Sequence, residues 1–295
     1  MTVPDRLLGQ RVLAVEDLTW PWACAVRTSR VTLAGGRSVV HQVGLPSAAG
    51  RAGIARRIRL ARGLAASAPG LPVPRILDGD AAADPPFLVT VFVEGRNGGD
   101  LLESAADAIV LGRATGQAAR AVAGVSLRGP ATVLPRAWSE PSRLRAAAER
   151  WLTAARLDPL DAAAALEILG RVPGLFAAPP VLAHGDLAPV NLVIDAGRLA
   201  GILDLERLRV APAAFDAAWV RLLVRHHHPG RWPDMGPALL DAAGLDGDPG
   251  TLRQLDDLAV LACLEAAATL PRRSTARTRW LGRIAEVVRG ELPAP

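Results

Sequence analysis

The residues best suited to chemistry form one short pattern: His184-Gly185-Asp186, then Asn191 after four further residues, with another acid at Asp204. A carboxylate can accept the proton of a hydroxyl group, and amide and carboxylate oxygens are ligands that Mg²⁺ prefers. Phosphoryl transfer to an alcohol uses this combination, with Asp186 as the base and Asn191 and Asp204 as metal ligands. Taken singly, each residue has a structural alternative, as a loop cap or as an exposed acid in a turn.

A predicted strand-turn-strand unit separates Asn191 from Asp204. Apolar runs at 192–194 and 199–203 flank the turn 195–198, and this pattern is typical of a β-hairpin. Because a hairpin brings the chain back to its starting point, the two oxygen ligands can return to one point in space. The order of the residues and the hairpin together favour the catalytic interpretation.

The first ninety residues predict a small β-rich region. The paired glycines in the turn 34–37 predict a hairpin, and apolar residues spaced three or four apart predict a helix over 48–66. The glycine-rich segment 94–99 is the best candidate for a domain boundary. The predicted strands cover 11–15, 23–33, 38–43 and 87–93.

The remainder of the chain is predicted to be mainly helical. His226, His227 and His228 are adjacent in sequence, point in different directions and are expected in a solvated turn, not at a metal site. The predicted helices cover 104–125, 140–155, 161–169, 252–270 and 277–290.

The stretch HGDLAPVNLVID, followed by GILDLE, resembles the signature of the aminoglycoside phosphotransferase family, also called the kinase-like phosphotransferase enzymes. The resemblance implies an α+β, bilobal protein-kinase-like fold, with an N-lobe over 1–93, a hinge at 92–96 and a C-lobe over 97–295. It also implies that His184 and Asp186 belong to the catalytic motif. Asp216 matches a further family aspartate that opens a helix and braces the catalytic loop.

The same resemblance implies ATP and Mg²⁺ as cofactors. The segment 88–95 is similar to the strand-to-linker segment of the family. By that comparison, backbone groups of Phe92 and Val93 would meet adenine, with Thr90 behind them.

The predicted phosphate site departs from the family pattern on the third strand. A cation that pairs with the α- and β-phosphates is expected there, but the position falls on Gln42, or on His41 if the register slips by one. The glutamate that partners this cation is expected within 55–59, where the only charged residues are arginines. Both halves of the ion pair are therefore expected to be missing together.

Two accounts of this departure stay open. In the first, Arg57 or Arg56 reaches the phosphates from the helix, because a guanidinium can bind phosphate through two parallel hydrogen bonds. In the second, ATP binding is weak and the protein is a regulatory member without activity. For a single arginine of this helix, a solvated surface position is the ordinary expectation.

Composition excludes several classes of protein. All 34 basic residues are arginine, so neither a phosphate loop ending in Gly-Lys nor a lysine Schiff base is possible. The two cysteines, Cys24 and Cys263, are far apart and predict neither a disulfide framework nor a zinc cluster. No secretory or membrane-spanning segment is recognisable, so a cytoplasmic protein is expected. The formal charge of +5 is weak evidence for an anionic partner.

The sequence therefore predicts an ATP- and Mg²⁺-dependent phosphotransferase that acts on a hydroxyl group of a small molecule. The acceptor could be an antibiotic, a sugar or an amino alcohol, and the basic charge makes a polycationic aminoglycoside no more favoured than a neutral compound. Neither nucleic acid nor membrane is an expected partner, and the protein is expected to be a monomer or a homodimer. The alternative is a catalytically silent kinase-like module that binds a nucleotide or another ligand.

Overall fold

The computed structural model of the protein describes residues 3–19, 25–127 and 134–291. Cys24 and the first residues of the predicted strand 23–33 lie outside these ranges. Cys263 is fully buried, and burial raises the pKa of its thiol to about 12. None of the helices in the described residues is long and apolar enough to span a membrane.

The chain divides into two compact units. The first contains Met1–Gly95 together with Ala200–Glu206, and the second contains Arg96–Leu199 and Arg207–Pro295. The sequence analysis placed 200–206 in the second lobe. The segment groups with the first unit because it makes hydrogen bonds and ion pairs there, which are described below.

The first unit is built on a six-stranded sheet with the order β1-β2-β3-β4-β6-β5. The pairs β2–β3, β3–β4, β4–β6 and β5–β6 are antiparallel. At the turn between β3 and β4, Gly36 has φ +78°, a conformation that glycine adopts without strain. The strands are β1 Arg6–Leu7, β2 Gln10–Asp17, β3 Val26–Leu33, β4 Ser38–Gly44, β5 Ile76–Asp80 and β6 Phe87–Val91.

One long helix, α1 (Ala48–Ser67), covers one face of this sheet. Ser47 begins the helix, because its hydroxyl accepts a hydrogen bond from the free backbone N–H of Gly50. Ile54 and Ile58 are buried against Val26 and Leu88 of the strands. Burial of these side chains holds the helix on the sheet.

The second unit is mainly helical, as the sequence predicts. Helices α5 (Phe215–His227) and α6 (Trp232–Ala243) were not among the five helical ranges predicted from periodicity. His226 and His227 lie in the last turn of α5 and not in a loop turn, although His227 and His228 are exposed as expected. The helices are α2 Ala105–Ala123, α3 Pro141–Ala155, α4 Pro159–Arg171, α5 Phe215–His227, α6 Trp232–Ala243, α7 Pro249–Thr269 and α8 Thr275–Val288.

Five short strands complete the chain. The predicted hairpin is present, and its turn residues Ala196 and Gly197 have φ 45° and 75°, as a tight two-residue turn requires. It belongs to a three-stranded sheet with the order β10-β9-β7, whereas β8 pairs with β11. The strands are β7 Arg96–Asn97, β8 Val181–Ala183, β9 Leu192–Asp195, β10 Arg198–Ile202 and β11 Arg209–Ala211.

Candidate active site

The loop that carries the His-Gly-Asp pattern begins directly after β8 in the second unit. Gly185 has φ +81°, and a Cβ atom there would lie 2.1 Å from the carbonyl oxygen of Arg207. Any other residue would clash with backbone at this position. The glycine of the pattern is therefore required by the close approach of two chain segments.

Asp216, at the start of α5, holds the backbone of this loop. Its carboxylate accepts hydrogen bonds from the N–H groups of His184 (2.7 Å) and Gly185 (2.9 Å). Burial raises the pKa of Asp216, while the charge of His184 and the two N–H donors act in the opposite direction. The sequence analysis gave Asp216 the role of brace, and these contacts support that role.

The side chain of Asp186 is held at one oxygen and is partly exposed. The indole Nε1–H of Trp219 donates a hydrogen bond to Oδ1 of Asp186 at 2.8 Å. Oδ2 lies 3.9 Å from Nε of Arg207, and 29% of the Asp186 side chain is exposed. A carboxylate that is oriented from inside the protein and partly accessible is suited to accept a proton from a bound molecule.

Two further contacts order the same loop. The backbone N–H of Asp186 donates to Nδ1 of the buried His184 at 3.3 Å. The side-chain Nδ2 of Asn191 donates to the carbonyl oxygen of Asp186 at 2.8 Å. Since the amide nitrogen of Asn191 donates this bond, its Oδ1 atom is the group that can bind a cation.

Asp204 belongs to the first unit, in the segment 200–206. Gly201 lies against Val93, and the backbone N–H of Ile202 donates to the carbonyl oxygen of Pro72 at 2.7 Å. Asp204 has φ 54°, and 43% of its side chain is exposed. The chain is thus fastened to the first unit immediately before this acid.

Helix α1 meets this segment with two arginines. Nη2 of Arg57 lies 2.9 Å from Glu206 and 3.7 Å from Asp204, and only 16% of the Arg57 side chain is exposed. Nε of Arg56 donates to the backbone carbonyl of Glu206 at 2.7 Å. The strand position carries the neutral Gln42 and the helix carries no glutamate there, so Arg57 pairs instead with two acids of the segment 200–206.

The strand register shows which of Gln42 and His41 lies on the sheet face that packs against α1. Gln42 pairs with Thr28 and Leu88, so it shares the sheet face on which α1 packs, and its Nε2 lies 3.4 Å from the Thr28 hydroxyl. His41 points to the opposite face and is only 5% exposed. Burial lowers the pKa of His41, which disfavours a charged imidazole there. Gln42 is the residue at the strand position where a cation was expected.

Thr90 lies on the same sheet face as Gln42, because it pairs with Val40 in the neighbouring strand. The register also places Arg30 of β3 on this face, opposite Val40. The Arg30 guanidinium lies 4.1 Å from the centre of the Phe92 ring, in a cation–π arrangement. The sequence analysis did not consider Arg30, whose alternation with Thr28 along the predicted strand places it on this face.

Comparison with known proteins places the chain in a family. The model of the phosphotransferase enzyme family matches residues 25–258. The chain belongs to this family. No curated protein sequence matches the chain.

Solved structures of macrolide and aminoglycoside phosphotransferases share the fold of this chain at low sequence identity. The macrolide 2'-phosphotransferase MphH of Brachybacterium faecium is 17% identical, with 94% of each chain covered and a TM-score of 0.69. The ADP-bound aminoglycoside phosphotransferase APH(2'')-Ib is 14% identical, with 94% of this chain and 92% of that chain covered and a TM-score of 0.68.

A thermostable mutant of aminoglycoside phosphotransferase APH(4)-Ia, in a ternary complex with ADP and hygromycin B, is 16% identical. The match covers 95% of this chain and 94% of that chain, with a TM-score of 0.68. These similarities confirm the kinase-like fold, with a β-rich N-terminal sheet followed by a mainly helical part. The APH(2'')-Ib structure holds ADP and the APH(4)-Ia structure holds ADP and hygromycin B, and identity of 14–17% establishes no substrate for this chain.

Proposed function

We propose that the protein is an ATP- and Mg²⁺-dependent phosphotransferase that transfers the γ-phosphoryl group to a hydroxyl of a small molecule. The arrangement around Asp186 is the observation that carries this proposal. Its backbone is bonded to His184 and Asn191, and one carboxylate oxygen is fixed by Trp219. Such preorganisation is characteristic of groups that act in catalysis.

Asp186 is the proposed general base. It takes the proton of the acceptor hydroxyl while the hydroxyl oxygen attacks the γ-phosphorus, and the bond between that phosphorus and the leaving ADP oxygen breaks. The guanidinium of Arg207 lies beside Asp186 and is half exposed. Its positive charge can offset the negative charge on the transferring group.

Asn191 and Asp204 are the proposed protein ligands of Mg²⁺. The amide oxygen of Asn191 and the half-exposed carboxylate of Asp204 have the oxygen chemistry that this ion prefers. No group of three or more His, Cys, Asp or Glu side chains among the described residues could hold a metal. A small protein contribution suits Mg²⁺, which typically completes its coordination with water and substrate phosphates. When bound, the ion neutralises the charge of the nucleotide phosphates.

Nucleotide binding is proposed for the first unit. Phe92 and Val93 would contact adenine through their backbone groups, with Thr90 behind them on the sheet. Arg57 is the proposed replacement for the missing strand cation, since its Nη1 is buried without a hydrogen-bond partner among the described residues. A guanidinium with one arm unused can bind a phosphate oxygen.

The proposed acceptor is a hydroxylated compound of low charge, such as a sugar, a macrolide-like compound or an amino alcohol. The net charge of +5 gives no preference for a polycationic aminoglycoside over such a compound. The structural neighbours include aminoglycoside enzymes as well as a macrolide enzyme, so they favour neither class of acceptor.

Mg-ATP is expected to stabilise the protein against heat. At a concentration ten times the dissociation constant, a ligand that binds only the folded state adds about 1.4 kcal/mol. For a chain of this size the melting temperature should rise by about 2 °C. Differential scanning fluorimetry with ATP, with Mg²⁺ and with both measures this shift.

Asp204→Ala should remove most of the Mg²⁺-dependent shift. The matched control is Asp195→Ala, which removes an exposed acid from the nearby hairpin and should keep the full shift. If wild-type protein shows no shift at millimolar Mg-ATP, the proposed function is wrong. A normal shift without ADP formation would instead favour the silent module, the competing function that the neutral Gln42 supports.

A further inference from the structure

One turn of helix α5 presents two side chains to the loop around Asp186. Asp216 and Trp219 are three residues apart, so they lie on the same face of the helix. Asp216 bonds the loop backbone at His184 and Gly185, whereas Trp219 bonds the side chain of Asp186 itself. The helix therefore holds both the backbone of the loop and the carboxylate that projects from it.

Trp219 is itself held rigidly. Its side chain is 4% exposed, and its ring stacks on Trp280 of α8, with the ring centres 5.4 Å apart and the planes at 25°. The guanidinium of Arg283, also on α8, lies 4.3 Å from the centre of the Trp280 ring. This stack restricts the rotation of the Trp219 indole and so fixes the direction of its single N–H group.

The hydrogen bond from Trp219 gives the two oxygens of Asp186 different roles. The terminal torsion of an aspartate side chain is broad, so a carboxylate without partners samples many orientations. The indole N–H is only a donor and cannot take a proton from the carboxylate or bind a cation. A bond from this group therefore orients Oδ1 and leaves Oδ2, on the side of Arg207, to react.

We infer that Trp219 is a positioning residue for Asp186, and that Oδ2 is the atom that accepts the proton of the acceptor hydroxyl. Trp280 and Arg283 of α8 support the position by fixing the Trp219 ring. The inference rests on the proposed phosphotransferase function, in which Asp186 is the base. The competing explanation is that Trp219 is an ordinary core residue whose N–H uses the nearest acceptor.

The test is to remove the N–H group without removing the ring. Replacement of Trp219 by β-(3-benzothienyl)alanine keeps a bicyclic aromatic ring of similar shape and has sulfur in place of the N–H group. Trp219→Phe is a second variant, which uses a standard amino acid and also lacks the N–H group. We expect kcat to fall about tenfold in the benzothienyl protein, with KM for ATP and for the acceptor within about twofold of wild type.

The matched control is the same replacement at Trp138. That residue is fully buried, and its N–H donates to a different carboxylate, that of Glu265, at 3.2 Å. The control should keep wild-type kcat. Melting temperatures of all three proteins show whether a loss of turnover is a loss of folded protein.

Each outcome decides one of the two claims. If the benzothienyl protein is folded and retains full kcat, the positioning role of Trp219 is wrong and the proposed function stands. If kcat and both KM values change together in the Trp219 and Trp138 proteins, the effect is structural and the inference is again wrong. If wild-type protein has no ATP-dependent turnover with any acceptor, the proposed function fails and the inference fails with it.

Discussion

Replacing Asp186 with asparagine is expected to lower turnover about a thousandfold, because a general base contributes between about a hundredfold and ten-thousandfold to the rate. The amide has nearly the shape of the carboxylate, and its oxygen can still accept the hydrogen bond from Trp219. It cannot take a proton from a hydroxyl group. The dissociation constant for Mg-ATP should stay within about twofold of wild type, since Asp186 is not a proposed ligand of the nucleotide.

ADP release in a coupled assay and calorimetric titration with Mg-ATP measure the two quantities separately. Asp195→Asn is the matched control, since it makes the same change at an exposed hairpin residue. Turnover in Asp186→Asn within about fivefold of wild type would show that Asp186 is not the base.

Arg57→Met is expected to weaken nucleotide binding about 10- to 100-fold. Loss of a hydrogen bond to a charged group costs about 1.5–3 kcal/mol, and each 1.4 kcal/mol is about tenfold in affinity. Methionine keeps the apolar part of a side chain that is 16% exposed. The change removes the guanidinium and keeps much of the packing of α1.

The same variant should have the opposite effect on divalent cations in the absence of nucleotide. The Arg57 guanidinium lies 3.7 Å from Asp204 and 2.9 Å from Glu206, and its positive charge opposes binding of a cation to these acids. Without it, Mn²⁺ should bind several-fold more tightly in an electron paramagnetic resonance titration. This gain follows from the two ion pairs alone, so the fall in ATP affinity is the result that tests a role of Arg57 in nucleotide binding.

Arg59→Met is the control for Arg57, because Arg59 is an exposed residue of the same helix. Gln42→Lys tests the competing account. If Arg57→Met leaves the affinity for ATP unchanged and Gln42→Lys raises it tenfold or more, the missing strand cation has no replacement in this chain. Arg57 would then have no part in nucleotide binding.

Local features of the fold were predictable from the sequence. The hairpin turns contain Gly36 and Gly197, which adopt the required positive φ angles without strain. The helix over 48–66 follows from apolar spacing, and the structure extends it by a single residue. The loop at His184 was found because its residues lie within eight positions of one another.

Features that depend on tertiary packing were not predictable in the same way. Strand β5 (Ile76–Asp80) alternates weakly and follows a proline-rich segment, and its position is set by pairing with β6. Helix α6 contains Pro237, which normally argues against a helix interior. In both cases packing against the rest of the chain outweighs a weak or contrary local preference.

The contacts of the candidate site are also long-range. Arg57 and Glu206 are about 150 residues apart in sequence, and Trp219 meets both Asp186 and Trp280 from different elements. The sequence identifies such residues as arginine or tryptophan on a helix, and these residue types have ordinary structural explanations. Only the three-dimensional arrangement separates Arg57 from the exposed Arg59.

The most direct test of the proposed phosphotransferase is formation of ADP and of a phosphorylated product from Mg-ATP. Wild-type protein would be incubated with γ-labelled ATP and a panel of sugars, macrolides and amino alcohols, with water as the background acceptor. We predict labelled phosphate ester with at least one acceptor, and ADP formation that disappears in Asp186→Asn. If Mg-ATP binds but neither ADP nor labelled product forms above the Asp186→Asn level, the chain is a silent member of its family and the proposed function is wrong.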